Sequence, residues 1–209
     1  MLKKKTLCLG IDTTSDAVCV ACLDQEKGSM LIWKKAPHDQ GELLMVFIQR
    51  ILKQLYRTPQ DLTHIAVTVG PGSFTGVRIG LATARGLGLA LKIPVLGVDN
   101  FTATSFFHQL TQPHKVVLDS KRNDYFVQDF KANGEAKNSP KIYTAKQLEK
   151  YLPFTACGSG AKKLASEIGC QAINEPPILA LAAAQIVLKA RKKACAAHPL
   201  YLRDADVTI

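Results

Sequence analysis

The sequence predicts an α/β fold built as two related lobes, the second of them reduced. Three observations carry that prediction. The first hundred residues alternate short apolar, β-branched runs with longer segments of helical period. A shortened echo of the opening returns after Val116: a strand ending in Asp119, a turn over 120–124 and a second strand over 125–130, just as a strand ending at Asp12 is followed by 13–16 and a second strand. Between them, Gly70 to Leu91, GPGSFTGVRIGLATARGLGLAL, passes from a glycine-rich loop straight into a helical segment.

Each element has its local reason. Thr6–Ile11, Ala17–Leu23 and Met30–Lys34 are apolar or β-branched runs separated by turn residues, and read as three strands. A helix follows from about Gly41 to Tyr56, where Leu44, Phe47, Ile48, Ile51, Leu52 and Leu55 give the i, i+3, i+4, i+7 stripe. Leu43, Met45 and Val46 make its first half apolar nearly all round, which predicts a covered far face. Ile65–Gly70 is a short strand, Ile93–Val98 another and Thr102–Leu110 a helix. After the echo comes a looser region with Asn133-Gly134 and Pro140. Then follow a helix near Ala145–Tyr151, a strand Phe154–Cys157, a Gly-Ser-Gly turn and a helix Ala161–Ile168. A longer helix starts near Pro177, a residue suited to the first helical position, and runs to about Lys193; the tail HPLYLRDADVTI is irregular or strand-like. The predicted division is a first lobe over 1–103, with the tail 195–209 packing back onto it, and a reduced second lobe over 104–194.

In the glycine-rich helix, Gly76, Gly80, Ala84 and Gly88 recur every four residues, and Ala82, Gly86 and Ala90 form a second row. Residues four apart share a ridge. Each interior glycine costs roughly 1 kcal/mol relative to alanine, so a second backbone should pack very close, as small-xxx-small faces permit. That backbone is either part of this chain or of another.

Of the 209 residues, 47% are hydrophobic and 27 Lys and Arg oppose 17 Asp and Glu, a formal net charge of +10. The basic residues are scattered, with short clusters only at Lys3–Lys5, Lys121–Arg122 and Arg191–Lys193, and no RNA-binding aromatic signature accompanies them. No apolar run reaches bilayer length, and the apolar start is cut short by Asp12 without a cleavage site; a cytoplasmic protein that does not enter a membrane is expected. Cys19 and Cys22 form a CxxC inside a strand-like run, where odd spacing points the two thiols to opposite faces. With no second CxxC, the six cysteines read as free thiols of a reducing compartment.

A duplicated ribonuclease-H-like lobe with Asp at each first hairpin is the plan of the actin/Hsp70/sugar-kinase (ASKHA) fold. The segments LGIDTT, TVGPGSFTGVRIGLATARGLGLAL, IPVLGVDNF, LDSKRNDYF, CGSGA and PLYLR, in that order, resemble the bacterial TsaB (YeaZ) family along essentially the whole chain. The block GPGSFTGVRIG is the most specific of them. The chain departs from the family pattern at Ser120-Lys121 within Asp119–Arg122, at Gln40 where a His is common (His38 is close), and in its short second lobe. The resemblance implies a noncatalytic subunit, a pseudo-enzyme, of the machinery that makes N6-threonylcarbamoyladenosine at position 37 of tRNAs reading ANN codons. Its implied partners are the paralogue TsaD, which carries the transferase site, and the ATPase TsaE. It would be a homodimer when alone and would meet tRNA only through the complex.

On this reading helices 41–56 and 76–91 form the partner interface, with Leu43, Val46, Phe47, Gly76, Gly80, Ala84 and Gly88 as its expected residues. Asp12, Thr13 and Ser15 in the first turn, and Asp119, Gly158 and Gly160 in the second lobe, are candidate vestigial phosphate or nucleotide contacts. The first turn lacks the glycine that would let backbone N–H groups approach an anion, so a capped hairpin turn is the competing reading. No cofactor is expected to be intrinsic, although a nucleotide at the subunit junction of the complex stays open. No metal site is expected: none of His38, His64, His108, His114 and His198 lies one helical turn from another, and His108 and His114, astride Pro113, are expected at the surface. The loop 70–76 either cradles an anion at a helix N-terminus or is a tight structural turn capped by Ser73 or Thr75. Arg78, in the first turn of that helix and opposed to its dipole, either has a specific partner or is exposed. The alternatives to a scaffold are an autonomous ATP-dependent phosphotransferase or ATPase of the same fold, and an independent tRNA binder driven by the net charge.

Overall fold

The computed structural model describes residues 6–203; Lys3–Lys5 and the last six residues of the tail lie outside the described part. The described residues form two units, one of 6–100 with 178–200, the other of 101–177 with 201–203.

The first unit is a six-stranded sheet in the order β11-β5-β4-β1-β2-β3. β1 (Leu7–Asp12), β2 (Ala17–Asp24) and β3 (Gly28–Lys35) form an antiparallel meander, and β4 (His64–Thr68) and β5 (Val95–Val98) extend it in parallel beyond β1. The two helical crossovers are α1 (Gln40–Gln54) and α2 (Phe74–Leu91). Leu44, Phe47, Ile48, Ile51 and Leu52 of α1, with Val77, Leu81 and Ala84 of α2, meet Leu7, Leu9, Ile11, Ile65 and Val67 of the sheet in one core. That stripe is the 3.6-residue period seen in the sequence.

The other face of this sheet is covered by α6 (Leu179–Lys189). The sequence division assigned 178–194 to the second lobe, and the structure corrects it. α6 is apolar on nearly every side, so its own pattern fits either lobe. Its run of alanines lets its backbone settle on β1, where a Cβ on Gly10 would stand 2.0 Å from the Ala180 carbonyl oxygen. A glycine in mid-strand and an alanine-rich helix are the two halves of one contact. Beyond α6, β11 (Cys195–Ala196) pairs with β5, and the Leu200 amide donates to the Val69 carbonyl at 2.7 Å. Residues 195–200 thus lie on the first unit, whereas 201–203 go with the second.

The second unit has a five-stranded sheet, β10-β9-β6-β7-β8, in which β6 (His114–Asp119) and β7 (Tyr125–Phe130) are the echo of β1 and β2. β9 (Thr155–Cys157) joins β6 in parallel. The short strands β8 (Lys141–Tyr143) and β10 (Gln171–Ala172) fall in stretches without readable alternation. One face packs Val117, Tyr125 and Val127 against Leu148 of α4 (Ala145–Glu149) and Leu164 of α5 (Ala161–Ile168). The other face packs Val116, Leu118 and Phe130 against Phe101 of α3 (Asn100–His108). Among the described residues no helix is long and apolar enough to cross a membrane.

Candidate functional site

α2 carries both small-residue rows, and the structure separates them. Ser73 caps the helix, accepting from the Gly76 amide at 3.2 Å. The row expected to meet a partner is sealed inside its own unit. A Cβ on Gly76 would stand 1.9 Å from the Thr13 carbonyl oxygen, one on Gly80 2.6 Å from Thr13 Oγ1 and one on Gly88 2.2 Å from the Val95 side chain; Ala84 is fully buried. Phe47 of α1 is likewise a core residue. Gly76, Gly80, Ala84, Gly88 and Phe47 are therefore corrected from interface to internal packing. The close neighbours that offset the glycines' cost belong to this chain: the first turn at Thr13 for Gly76 and Gly80, and Val95 of β5 for Gly88. The sequence held a signal for this, because the row flanks Val77 and Leu81 on the apolar side of the helix.

What faces outward is the second row. Ala82, Gly86 and Ala90 are exposed, and no atom lies within 4 Å of a Cβ placed on Gly86. Leu89 beside them is 83% exposed. On α1, which packs against α2, Met45 and Val46 are exposed and Leu43 is half-buried. Of the expected interface residues, Leu43 and Val46 thus remain on the outer surface. Arg78 is exposed too, its guanidinium 3.7 Å from the centre of the Phe74 ring. Two neighbouring helices thus present apolar or side-chain-poor surface to the outside.

The first turn, 12–15, is occupied by internal hydrogen bonds. Asp12 Oδ1 accepts from the Thr14 amide at 3.0 Å, Thr14 Oγ1 at 2.7 Å and Thr68 Oγ1 at 2.7 Å. Thr13 Oγ1 donates to the Gly76 carbonyl at 2.6 Å. Asn100 Nδ2 donates to Thr14 Oγ1 at 2.8 Å and to the Pro71 carbonyl at 2.9 Å. The glycine-rich loop lies directly on this turn: the Ser73 amide donates to the Thr14 carbonyl at 2.7 Å, and a Cβ on Gly72 would stand 2.2 Å from the same oxygen. Gln40, buried at the start of α1, donates its amide to the carbonyls of Thr13, Ser15 and Ala17 at 3.3, 2.5 and 3.2 Å. The Thr13 and Thr14 hydroxyls and the Thr14 amide, which would have to greet a phosphate, are committed within the unit. Ser15 is exposed. The residues present here form a capped turn better than they form a phosphate cradle.

In the second unit the corresponding turn is also self-contained. Asp119 Oδ1 accepts from the Lys121 amide at 2.9 Å, and the Asp119 amide donates to Ser159 Oγ at 3.1 Å. Gly160 donates to the Val117 carbonyl at 2.9 Å, and a Cβ there would stand 2.9 Å from the Tyr125 ring. Gly158 has φ +104°, a conformation that glycine adopts without strain. Asp119, Gly158 and Gly160 thus meet one another at a strand-to-helix turn. Asp124 holds the hairpin through Arg203 at 2.5 Å. Burial pushes its carboxyl up, but the Ser120 hydroxyl and the Arg203 guanidinium outweigh burial and hold it below the usual range.

His114 corrects the expectation of a surface residue. It is buried at the start of β6, with Nε2 2.9 Å from Ser105 Oγ and Nδ1 2.9 Å from the Gln112 carbonyl, and its ring stacks on Phe130 at 5.5 Å. The Gln112 carbonyl can only accept, so Nδ1 carries a proton and donates it there. Both members of this serine–histidine pair are 3% exposed, so it ties α3 to β6 out of reach of a substrate. Among the described residues no three His, Cys, Asp or Glu side chains converge as a metal site would require. Cys19 and Cys22 do point to opposite faces, Cys19 toward α6 and Cys22 toward α1.

Comparison with known proteins adds a family. The model of TsaD, tRNA N6-adenosine threonylcarbamoyltransferase, matches residues 34–177. The tRNA threonylcarbamoyladenosine biosynthesis protein TsaB of Escherichia coli is 34% identical over 91 residues, which cover 44% of this chain and 39% of that protein. An uncharacterized protein of Mycobacterium tuberculosis is 27% identical over 201 residues, 95% of this chain and 92% of its own. The chain spans about half the length of the curated TsaB relatives it matches, between 39% and 54%. Among solved structures, YeaZ from Pseudomonas aeruginosa superposes with a TM-score of 0.75 at 21% identity, over 94% of this chain and all of that one. That likeness shows the fold, the two-lobed α/β architecture of the actin/Hsp70/sugar-kinase class, with both sheets present.

Proposed function

The chain belongs to the TsaB (YeaZ) branch of the TsaD family, and on that premise we propose that it is a noncatalytic docking subunit of a tRNA-threonylcarbamoylating assembly. Its partner on this reading is a TsaD-type paralogue that carries the transferase chemistry, joined by the ATPase TsaE, with tRNA held by the assembly and any nucleotide at a subunit junction. The observation that carries the proposal is the outward face of α1 and α2. Val46 is 53% and Leu89 83% exposed, and the row Ala82, Gly86, Ala90 lets another helix approach closely. Exposed apolar surface of this kind marks an association site. The same surface is self-complementary, so a two-fold homodimer is expected in the partner's absence.

The capped first turn supports the noncatalytic part of the reading. Asp12, which an autonomous phosphotransferase would need at its phosphate site, is held by three donors within the lobe. The test is co-elution of the chain with the TsaD paralogue of the same organism, for the parent and for Val46→Asp with Leu89→Asp. Both side chains are exposed, so melting should change little. Losing apolar anchors from the centre of an interface should weaken association by about 30-fold or more. Undiminished association in the double variant would sink the proposal.

A further inference from the structure

β3 forms one border of the first sheet. It runs eight residues in unbroken register with β2, without proline or bulge, and so turns a row of backbone N–H and C=O groups outward. On the side facing α1, Met30 and Ile32 pack onto the core. On the opposite side Leu31 is 38% and Trp33, the sole tryptophan of the chain, 62% exposed. The physical reason is the reach of α6, which packs over β1, β2 and β4 and leaves the β3 side chains paired with Ala21 and Cys19 in the open. Sheet borders are ordinarily blunted by charge, proline or bulges. Here the charge is confined to Lys34 and Lys35 at the end of the strand, and the apolar pair before them is bare.

We infer that β3 is a docking edge for an extended acidic segment of a partner protein, which adds to the sheet as a further strand. Backbone pairing would supply the affinity. Alternate apolar side chains of the segment would lie over Leu31 and Trp33, and its carboxylates would meet Lys34 and Lys35. A second copy of the chain fits less well. Two-fold pairing of β3 with itself that sets Trp33 against Leu31 places Lys35 opposite Ser29 and Lys34 opposite Met30. The carboxylates nearest that end of the hairpin, Asp24 and Glu26, are already held by Arg57 at 2.7 and 2.8 Å. A copy would therefore bring no acid to the lysines, and would add a second net charge of +10.

Trp33 is its own reporter. The full chain is titrated at low salt, following tryptophan emission, with a capped eight-residue peptide of alternating valine and threonine ending in two glutamates, with its reversed sequence, and with twins ending in two lysines. A saturable blue shift is expected with one of the acidic peptides, about threefold to tenfold weaker with the lysine twin. The preference should invert in Lys34→Glu with Lys35→Glu. Absence of any shift at millimolar peptide, or equal responses to acidic and basic peptides, overturns the inference. So does a blue shift that grows with protein concentration alone, in step with a dimer mass that Val46→Asp with Leu89→Asp does not abolish, because the occupant would then be a second copy. A shift produced by an oligonucleotide and by neither acidic peptide overturns it as well.

Discussion

Two alanine substitutions in the same helix should move stability in opposite directions. At Gly86 a methyl group meets nothing within 4 Å, so Gly86→Ala adds helix propensity alone, about 1 kcal/mol. For a chain of this size that raises the melting temperature by about 2–4 °C. At Gly76 the same methyl would stand 1.9 Å from the Thr13 carbonyl oxygen, with backbone on both sides of the contact. Relief requires α2 and the first turn to part by about 1 Å, a forced repacking of the kind that costs about 1–3 kcal/mol or more. The movement also stretches the Thr13 Oγ1 to Gly76 bond of 2.6 Å and the Ser73 amide to Thr14 bond of 2.7 Å, each worth about 1 kcal/mol. After the gain in propensity, Gly76→Ala should lose about 2–4 kcal/mol, a fall of about 5–15 °C. Thermal melts followed by circular dichroism read both changes. A Gly76→Ala protein that melts at or above the parent, or a Gly86→Ala protein that melts below it, would mean that the two rows of α2 face the other way round.

Gln40→Ala leaves the carbonyls of Thr13, Ser15 and Ala17 without their shared donor and should cost about 2 kcal/mol in urea unfolding; Gln40→Glu, which turns a carboxylate toward the three oxygens, should cost more. Burial pushes the Asp24 carboxyl up, but the Arg57 hydrogen bond and the Glu26 and Lys27 amides outweigh it and hold it below the ordinary value of 3.8. A carboxyl lowered by folding stabilises above its unfolded value and loses that contribution as pH falls through the folded one. The gap in melting temperature between the parent and Arg57→Leu should accordingly be widest near neutral pH and close below about pH 4, and a gap that stays constant down to pH 2.5 would contradict the pairing. Of the six thiols, Cys8, Cys19, Cys22, Cys157 and Cys170 are buried and Cys195 is exposed; burial pushes Cys22 and Cys157 up to about 12. A chromogenic disulfide reagent should therefore release one equivalent promptly from the native chain and the other five only in urea.

Period and turn chemistry made much of this molecule legible in its sequence. The stripe from Leu44 to Leu52 became the buried side of α1, Ser73 the cap of α2, and the strand–turn–strand at Asp12 and again at Asp119 became β1–β2 and β6–β7. These are contacts between neighbours within a few turns or one hairpin, so a short window contains both partners. The outward surface of α1 and α2 was only partly legible: Leu43 and Val46 do lie on it, but on α2 it is the row Ala82, Gly86, Ala90 that faces out, not the row expected there. The row Gly76, Gly80, Ala84, Gly88 requires a close backbone, and that much was readable, but which backbone was not. For Gly76 it proved to be the turn at Thr13, more than sixty residues away in the chain, and Gly88 meets Val95 of β5 instead. The same holds for Gln40, whose three carbonyl partners lie in the β1–β2 turn and at the start of β2, more than twenty residues before it in the chain, and for His114, which met Ser105 and Phe130 inside instead of water.

Local propensity and hydrophobic period thus determined what each segment would become. The tertiary structure decided which segments would share a surface. α6 shows why: an all-apolar, alanine-rich helix satisfies its own period against either lobe, and only the flat strip of β1 at Gly10 lets its backbone come close enough to choose one. That choice rests on shape complementarity between distant stretches of chain, a quantity no single stretch contains.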